Sequence, residues 1–271
     1  MPAEKRQLAV EVKQEHQLSL SRACKIISFS RSMYYYKSSR DDTEIIKLLE
    51  EWAVKKPTRG FWYYYGRIRS DGHLINHKKL KRVYDLMKLN KRRKHKRRLP
   101  DRLKQPLQAP DSMNESWTMD FMHDSLINGR KFRVLNLMDE YNREALAIEV
   151  GTCLGAEKVK QVLSETMEWR GKPSSIRMDN GPEFISAALQ SFCGANGIGL
   201  NYIQPGKPMQ NGFMERFNRS FREDVLDAYL FEDLHDVREK AWDWMDDYNY
   251  HHPHQSLGGR SPVKYAKDNE K

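Results

Sequence analysis

The fold is decided by residues 117–150, which read WTMDFMHDSLINGRKFRVLNLMDEYNREALAIEV. Three segments of this stretch are rich in apolar and aromatic residues: WTMDFM (117–122), FRVLNLMDE (132–140) and ALAIEV (145–150). Short apolar runs separated by polar residues are typical of β-strands. Asn128-Gly129 lies between the first two runs, and this pair favours a tight hairpin turn. The stretch therefore predicts three consecutive strands.

Helical and strand patterns alternate after residue 150. Residues 156–170 predict a helix with Val159, Val162, Leu163 and Met167 on one face. A strand over 174–179, a helix over 183–195, a strand over 199–203 and a long helix over 213–229 follow. This order predicts an α/β fold of the ribonuclease-H-like kind, a mixed five-stranded sheet with flanking helices, over residues 111–230. A C-terminal helix and tail would occupy 231–271.

The N-terminal part has the pattern of two helical modules. In residues 1–40, Ser19 is placed to cap a helix that ends near Ile27, and a second helix starts near Arg31. This is helix-turn-helix spacing, in which the second helix would offer Arg31 and Lys37 to DNA. An ordinary helical hairpin is the alternative, because the spacing alone is a weak signal.

Residues 41–90 predict a second module like a helix-turn-helix. It has a helix over 44–54, the aromatic stretch FWYYYGRIRS (61–70), and a helix over 77–89 that Asn76 would cap. Leu80, Val83, Tyr84 and Met87 share one face of that last helix, so they belong to a core. Its other face carries the candidate DNA contacts Lys78, Lys79 and Arg82. The aromatic residues 61–65 are interpreted as core in preference to base-stacking platforms.

The charge is divided unevenly along the chain. Residues 1–110 hold 28 Lys and Arg against 11 Asp and Glu, a net +17, while residues 111–271 hold 19 against 26, a net −7. A basic half attracts polyanions. The densest run lies in a linker with several prolines, residues 91–110, and we predict that it tethers DNA, the alternative being a merely solvated linker. Its candidate contacts are Lys91, Arg92, Arg93, Lys94, Arg97 and Arg98.

Composition excludes several classes of protein. The three cysteines, Cys24, Cys153 and Cys193, include no CxxC pair, which argues against a disulfide framework or a cysteine zinc finger. No apolar run approaches the roughly 20 residues that span a bilayer, and the N-terminus has no secretory signal. We expect a cytoplasmic, nucleoid-associated protein.

Three acidic residues stand in predicted elements where they could act together. Asp120 lies in the first strand, Asp179 ends the fourth strand, and Glu215 lies in the first turn of the long helix, with 35 residues between the last two. An unpaired carboxylate in a strand is costly to bury. The cost has a purpose if all three hold divalent cations, and oxygen ligands favour two Mg²⁺ ions, or Mn²⁺ in their place. Separate structural roles, in a hydrogen bond, a turn and a helix N-terminus, are the alternative.

The long helix carries two arginines on the face of Glu215. Arg219 and Arg222 follow it at i+4 and i+7. Arginines beside a metal-binding glutamate would contact DNA phosphates, and a simple ion pair with Glu215 is the competing interpretation.

The chain resembles the second-frame (OrfB) transposases of the IS-three group of bacterial insertion sequences, within the retroviral integrase superfamily. The matching stretches include residues 117–144, IRMDNGPEF (176–184) and YIQPGKPMQNGFMERFNRSFRED (202–224). The resemblance implies catalytic roles for Asp120, Asp179 and Glu215, and insertion-sequence ends as substrate. His252 stands where the family's tail has arginine. The resemblance also implies a first-frame protein, joined by frameshifting, as partner or fusion.

The sequence therefore predicts a DDE-type DNA transposase that cleaves insertion-sequence ends and joins them to target DNA by metal-dependent, in-line phosphoryl transfer. Its partners would be double-stranded DNA, as terminal inverted repeats and target, and a second copy of the chain, because two ends must meet. Two alternatives stay open: a non-enzymatic self-repressor using residues 1–100, and a ribonuclease-H-like nuclease or resolvase. Metal-dependent cleavage would exclude the first, and joining of the products to a second duplex would exclude the other.

Overall fold

The computed structural model describes residues 2–36, 41–91, 109–204 and 211–269. The chain divides into two compact units, Met1–Glu44 and Ile45–Lys271. Among the described residues no helix is long and apolar enough to cross a membrane.

The first unit contains three helices, α1 (Pro2–Glu15), α2 (Leu20–Ile26) and α3 (Arg31–Tyr35). Ser19 and Ser30 cap α2 and α3, each by accepting a hydrogen bond from a backbone N–H of the first turn. Ala9, Cys24 and Phe29 form the small core. The two helices predicted here are confirmed, and α1 is an additional helix. The DNA contact of α3 stays a prediction.

The second unit begins with three helices packed on one core. These are α4 (Thr43–Lys55), α5 (Phe61–Ser70) and α6 (His77–Leu86), and Leu49, Ile68 and Leu80 are fully buried between them. Asn76 caps α6 as predicted, since its Oδ1 accepts the N–H of Lys78 at 2.8 Å. The aromatic stretch forms α5, most of whose rings are buried.

A mixed five-stranded sheet forms the centre of the unit. Its strands are β1 (Ser116–Ser125), β2 (Lys131–Asp139), β3 (Ala145–Gly151), β4 (Ser175–Met178) and β5 (Gly199–Tyr202), in the order β3-β2-β1-β4-β5. The first three pair antiparallel, whereas β1, β4 and β5 pair parallel. Gly129, at φ +80°, lies in the β1–β2 turn. Five strands in this order confirm the predicted ribonuclease-H-like fold.

Helices cover both faces of the sheet, because the β-strand pleat points alternate side chains to opposite sides. Helices α7 (Ala156–Arg170) and α8 (Ala187–Ala195) cover the face of Trp117 and Met119. Helices α9 (Gly212–Phe221) and α10 (Leu234–His251) cover the face of Met122 and Val134. A 3₁₀ turn (Gln255–Leu257) and α11 (Pro262–Asn269) complete the chain.

Two predicted helices differ from those observed. The helix predicted over 183–195 starts only at Ala187, because residues 181–185 form a turn and Ser186 caps α8 through the N–H of Leu189. The helix predicted over 213–229 is α-helical only to Phe221. A π-helical turn (Arg222–Leu226) follows, closed by the hydrogen bond from Asp227 N–H to the Arg222 carbonyl.

Candidate active site

Asp120 lies on β1 with its side chain toward α9. It alternates with Trp117 and Met119, which point into the α7–α8 core, and shares the face of Met122. Asp120 Oδ1 accepts the N–H of Phe121 at 2.8 Å, and its Oδ2 accepts a hydrogen bond from Asn218 of α9, also at 2.8 Å. The carboxylate is thus held in one orientation.

Asp179 follows the last residue of β4. Strand β4 runs parallel to β1, with Thr118 opposite Arg177, so continuing the register by two residues brings Asp179 alongside Asp120. The Asp179 Oδ1 accepts the N–H of Gly181 at 2.9 Å. A Cβ atom at Gly181 would lie 2.9 Å from the same oxygen, so glycine leaves the room that this turn needs.

Glu215 reaches the sheet because α9 is fastened to β1 on both sides of it. Thr118 Oγ1 donates to Asn211 Oδ1 at 3.1 Å at the start of α9, and Asn218 holds Asp120 one turn after Glu215. Glu215 and Asn218 are at i and i+3, so they share a helix face. The side chain of Glu215 is exposed.

The three carboxylates interact electrostatically. The pKa of Asp120 is raised to about 6, mainly by burial and also by the negative charges of Asp179 and Glu215, while the hydrogen bonds from Phe121 and Asn218 act to lower it. Neither Asp179 nor Glu215 has an ion pair among the described residues. The structure therefore brings the three predicted acids into one electrostatic cluster, where their charges repel without a cation.

A fourth nearby carboxylate is neutralised. Glu183 and Asp179 approach the same point beside Gly181, but Glu183 pairs with Arg133. The hydrogen bond from Arg133 lowers the pKa of Glu183. The guanidinium of Arg133 also lies 4.0 Å from the ring centroid of Phe121. Glu183 therefore belongs to a structural ion pair. The other three acids of the cluster have no ion pair among the described residues.

The ligand chemistry of this cluster suits a metal ion, but the present distances between its carboxylates do not. Unpaired, mutually repelling carboxylate oxygens are the ligands that Mg²⁺ and Mn²⁺ prefer. In the part of the chain that is described, however, no three His, Cys, Asp or Glu side chains already have the spacing of a metal site. Closing around an ion would require the exposed carboxylates of Asp179 and Glu215 to move toward Asp120.

Two asparagines were missed by the sequence interpretation. Asn218 Oδ1 accepts a hydrogen bond from Asn136 Nδ2 at 2.7 Å, so that Asn136, Asn218 and Asp120 form a chain. Asn136 is fully buried on β2, directly opposite Asp120. A polar residue inside the apolar run FRVLNLMDE, and an asparagine one turn after Glu215, were the available signals.

The predicted DNA contacts have varied surroundings, and none of them is tested by the structure. Arg222 already has partners, since its guanidinium bonds Asp124 Oδ2 at 3.1 Å and the His123 carbonyl at 2.9 Å. Arg31 donates to Ser21 Oγ at 3.1 Å. Exposed side chains are those of Lys78, Lys79, Lys91 and Arg219, while Arg82 is partly buried. Outside the described residues lie Lys37, Arg92, Arg93, Lys94, Arg97 and Arg98.

Comparison with known proteins gives matches over most of the chain. Two families described as integrase core domain match residues 110–208 and 196–262. An uncharacterized 31.7 kDa protein of insertion element IS407 from Burkholderia multivorans is 34% identical over 257 residues, 94% of this chain and 93% of that protein. The transposase InsD of insertion element IS2 from Escherichia coli is 26% identical over 84% of this chain and 79% of its own.

Solved structures are also among the matches. One of them is the integrase catalytic core domain of HTLV-2 in complex with magnesium, with a TM-score of 0.46 and 19% identity, covering 56% of this chain and 96% of that one.

Proposed function

Because this chain belongs to the insertion-element transposases of the retroviral integrase superfamily, we propose that Asp120, Asp179 and Glu215 catalyse cleavage and strand transfer of insertion-sequence ends. The chain is a transposase, an enzyme of DNA transposition. In the proposed reaction, which depends on a divalent metal, the oxygen of water or of a DNA 3′-hydroxyl attacks a phosphodiester phosphorus in line and displaces the leaving oxygen.

The observation that carries the proposal is the placement of Asp120, whose carboxylate lies on β1, is held by Asn218 of α9, and is close enough to Asp179 and Glu215 for their charges to raise its pKa. A carboxylate that is partly buried beside two further acids, with no cation beside it, costs free energy in the folded protein. Such a cluster is a candidate functional site, because acidic residues with shifted pKa values are frequent at functional sites. The neighbouring Glu183, by contrast, is paired with Arg133, so of the four neighbouring acids only Asp120, Asp179 and Glu215 lack a cationic side chain among the described residues.

Asp120, Asp179 and Glu215 would hold two Mg²⁺ ions. Bound there, the ions would lower the pKa of the attacking water or 3′-hydroxyl and stabilise charge on the leaving oxygen. The protein itself orients the carboxylates: Asn218 fixes Asp120 Oδ2, Gly181 N–H fixes Asp179 Oδ1, and the Thr118–Asn211 contact fixes the start of α9.

DNA would reach this site along positively charged surfaces. Exposed Arg219, one turn beyond Glu215, has no ion pair among the described residues and would contact a phosphate near the reaction. Arg222 would act differently, by pinning α9 to the end of β1 through Asp124. We propose that the two N-terminal helical modules, residues 1–40 and 41–90, and the linker 91–110 bind double-stranded DNA.

The active assembly would contain more than one copy of the chain, because two element ends must be joined to one target on the bacterial nucleoid. A first-frame protein, as partner or frameshift fusion, would add end recognition. Both statements follow from the reaction and the family resemblance.

The test is a joining assay with duplexes that carry candidate element termini, a circular target and Mg²⁺, followed by sequencing of the junctions. Asp120→Asn, Asp179→Asn and Glu215→Gln should each abolish cleavage and joining while DNA binding is retained. Glu165→Gln, an exposed acid on α7, is the matched control and should join normally. Normal joining by Asp120→Asn with Mg²⁺ would contradict the proposal, and cleavage without joining would favour a nuclease.

A further inference from the structure

A large cavity lies next to the acidic cluster, on the neighbouring face of α9. It measures about 1180 Å³ and is bounded by the start of α5, by α9 and by the turn after α10. Arg216, which follows Glu215 directly, lines this cavity together with Arg143 and Lys264. Sites for small ligands measure about 300–1,000 Å³, so this cavity can hold a larger ligand.

Arg59 and Arg69 line the cavity with partners of their own, Asp224 and the Tyr65 hydroxyl, whereas three of its other cations lack protein partners among the described residues. Arg216 and Lys264 make no ion pair or hydrogen bond within the described residues. Arg143 is only 7% exposed, yet its Nη1 is buried without a hydrogen-bond partner, and its guanidinium lies 3.3 Å from the ring centroid of Phe213. A buried guanidinium with an idle donor is costly unless an anion binds it. Glu223 is the one acid among the described lining residues.

A second unpaired polar atom belongs to His254, a residue that lines the same cavity. His254 Nε2 is buried and has no hydrogen-bond partner. Burial, together with the charges of Arg216 and Arg143, lowers the pKa of His254 to about 3, so the ring is neutral at pH 7. A neutral imidazole can donate one hydrogen bond to a phosphate oxygen without adding charge.

The rim of the cavity carries an exposed aromatic side chain. Trp62 on α5 is 55% exposed, although its neighbours Phe61 and Tyr63 are buried. It also borders a smaller basic depression that includes Lys78 and Lys81. Aromatic side chains beside cations are how proteins bind single-stranded nucleic acid, because an unpaired base stacks on the ring while its phosphate meets the cation.

We propose that this cavity binds unpaired nucleotides of the DNA strand that enters the acidic cluster. Arg143, Arg216 and Lys264 contact a phosphate, and Trp62 stacks on a base. The inference rests on the proposed function, since it names the part of the same DNA substrate that lies beside Glu215. It concerns unpaired nucleotides because a base inside a duplex cannot offer its face to Trp62.

Binding is measured by fluorescence anisotropy with the full chain in EDTA, which separates it from strand transfer. The probes are a labelled blunt 20-base-pair duplex and the same duplex with a three-nucleotide 3′ overhang. Trp62→Ala should weaken binding of the overhang probe roughly tenfold and leave the blunt probe within about twofold. Arg216→Gln should weaken the overhang probe by a similar factor and reduce the slope of log affinity against log salt by roughly 0.7.

Lys172→Gln, an exposed lysine before β4, is the matched control and should not change the preference for the overhang. Trp62 and Arg216 are exposed, so both variants should still fold, and thermal unfolding checks this, although Trp62→Ala removes the ring contact with His77. Equal losses on both probes, or no loss from either variant, would overturn the inference. A failure of the joining assay with intact overhang preference would instead contradict only the proposed catalysis.

Discussion

Asp120→Asn is expected to stabilise the folded protein at neutral pH. Burial, with the charges of Asp179 and Glu215, raises the pKa of Asp120 from 3.8 to about 6. This change in pKa, from 3.8 to about 6, corresponds to about 3 kcal/mol of lost free energy of unfolding at neutral pH, at about 1.4 kcal/mol per pKa unit. The asparagine loses the hydrogen bond from Asn218, since two amide donors would then meet, at a cost of about 1 kcal/mol. The free energy of unfolding of Asp120→Asn should therefore exceed that of the wild type by about 2 kcal/mol at pH 7.5.

The pH dependence has a definite sign. A carboxyl whose folded pKa is raised favours folding while it is protonated, and this stability is lost as pH rises through about 6. The advantage of Asp120→Asn should therefore be full above pH 6 and disappear as pH falls toward 4. Added Mg²⁺ should stabilise only the wild type, by about 1.4 kcal/mol at ten times its dissociation constant.

Urea and thermal unfolding of the catalytic protein at several pH values measure this directly. The expected gain of about 2 kcal/mol corresponds to roughly 4–8 °C in Tm for a unit of this size. Asp243→Asn, an exposed acid on α10, serves as control and should show no such pH dependence. Equal stability of Asp120→Asn and the wild type at every pH would refute the electrostatic reasoning.

Three other expectations concern activity and stability. Asn218→Ala should raise the Mg²⁺ concentration needed for half-maximal joining about 10–100-fold, since it frees the Asp120 carboxylate, and an unchanged Mg²⁺ titration would argue against a positioning role. Joining at subsaturating Mg²⁺ should fall as pH drops through about 6, because Asp120 takes up a proton. Arg59→Ala should destabilise the fold by about 3–5 kcal/mol in urea unfolding, because it leaves the buried carboxylate of Asp224 without its cation, whereas an effect below about 1 kcal/mol would contradict a buried ion pair.

The sequence predicted the sheet well, because strands β1 to β3 are apolar runs with few competing signals. The element order and the three acids followed from the same local patterns. The start of α8 was wrong by four residues, since Ser186, and not the Gly181 turn, provides the cap. The π-helical turn after Phe221 was also missed, and its Asp224 pairs with the distant Arg59, a contact that local patterns do not contain.

The hydrogen bonds that hold the acids in place were harder to predict from the sequence. Asn136 and Asn218 are 82 residues apart, and only the pairing of β1 with β2 and the packing of α9 on β1 bring them to Asp120. The cavity beside α9 likewise depends on three distant segments. Aromatic residues 61–65 were interpreted as core, which is confirmed for Phe61, Tyr63 and Tyr64 but not for the exposed Trp62.

The most direct test of the central claim is a crystal structure of the protein grown with Mn²⁺ and measured at the manganese absorption edge. We predict that the carboxylates of Asp120, Asp179 and Glu215 move closer together and that anomalous density appears between them. Crystals of Asp120→Asn should show no anomalous density at this position. Manganese bound elsewhere, or an acidic cluster that stays empty at millimolar Mn²⁺, would contradict the account.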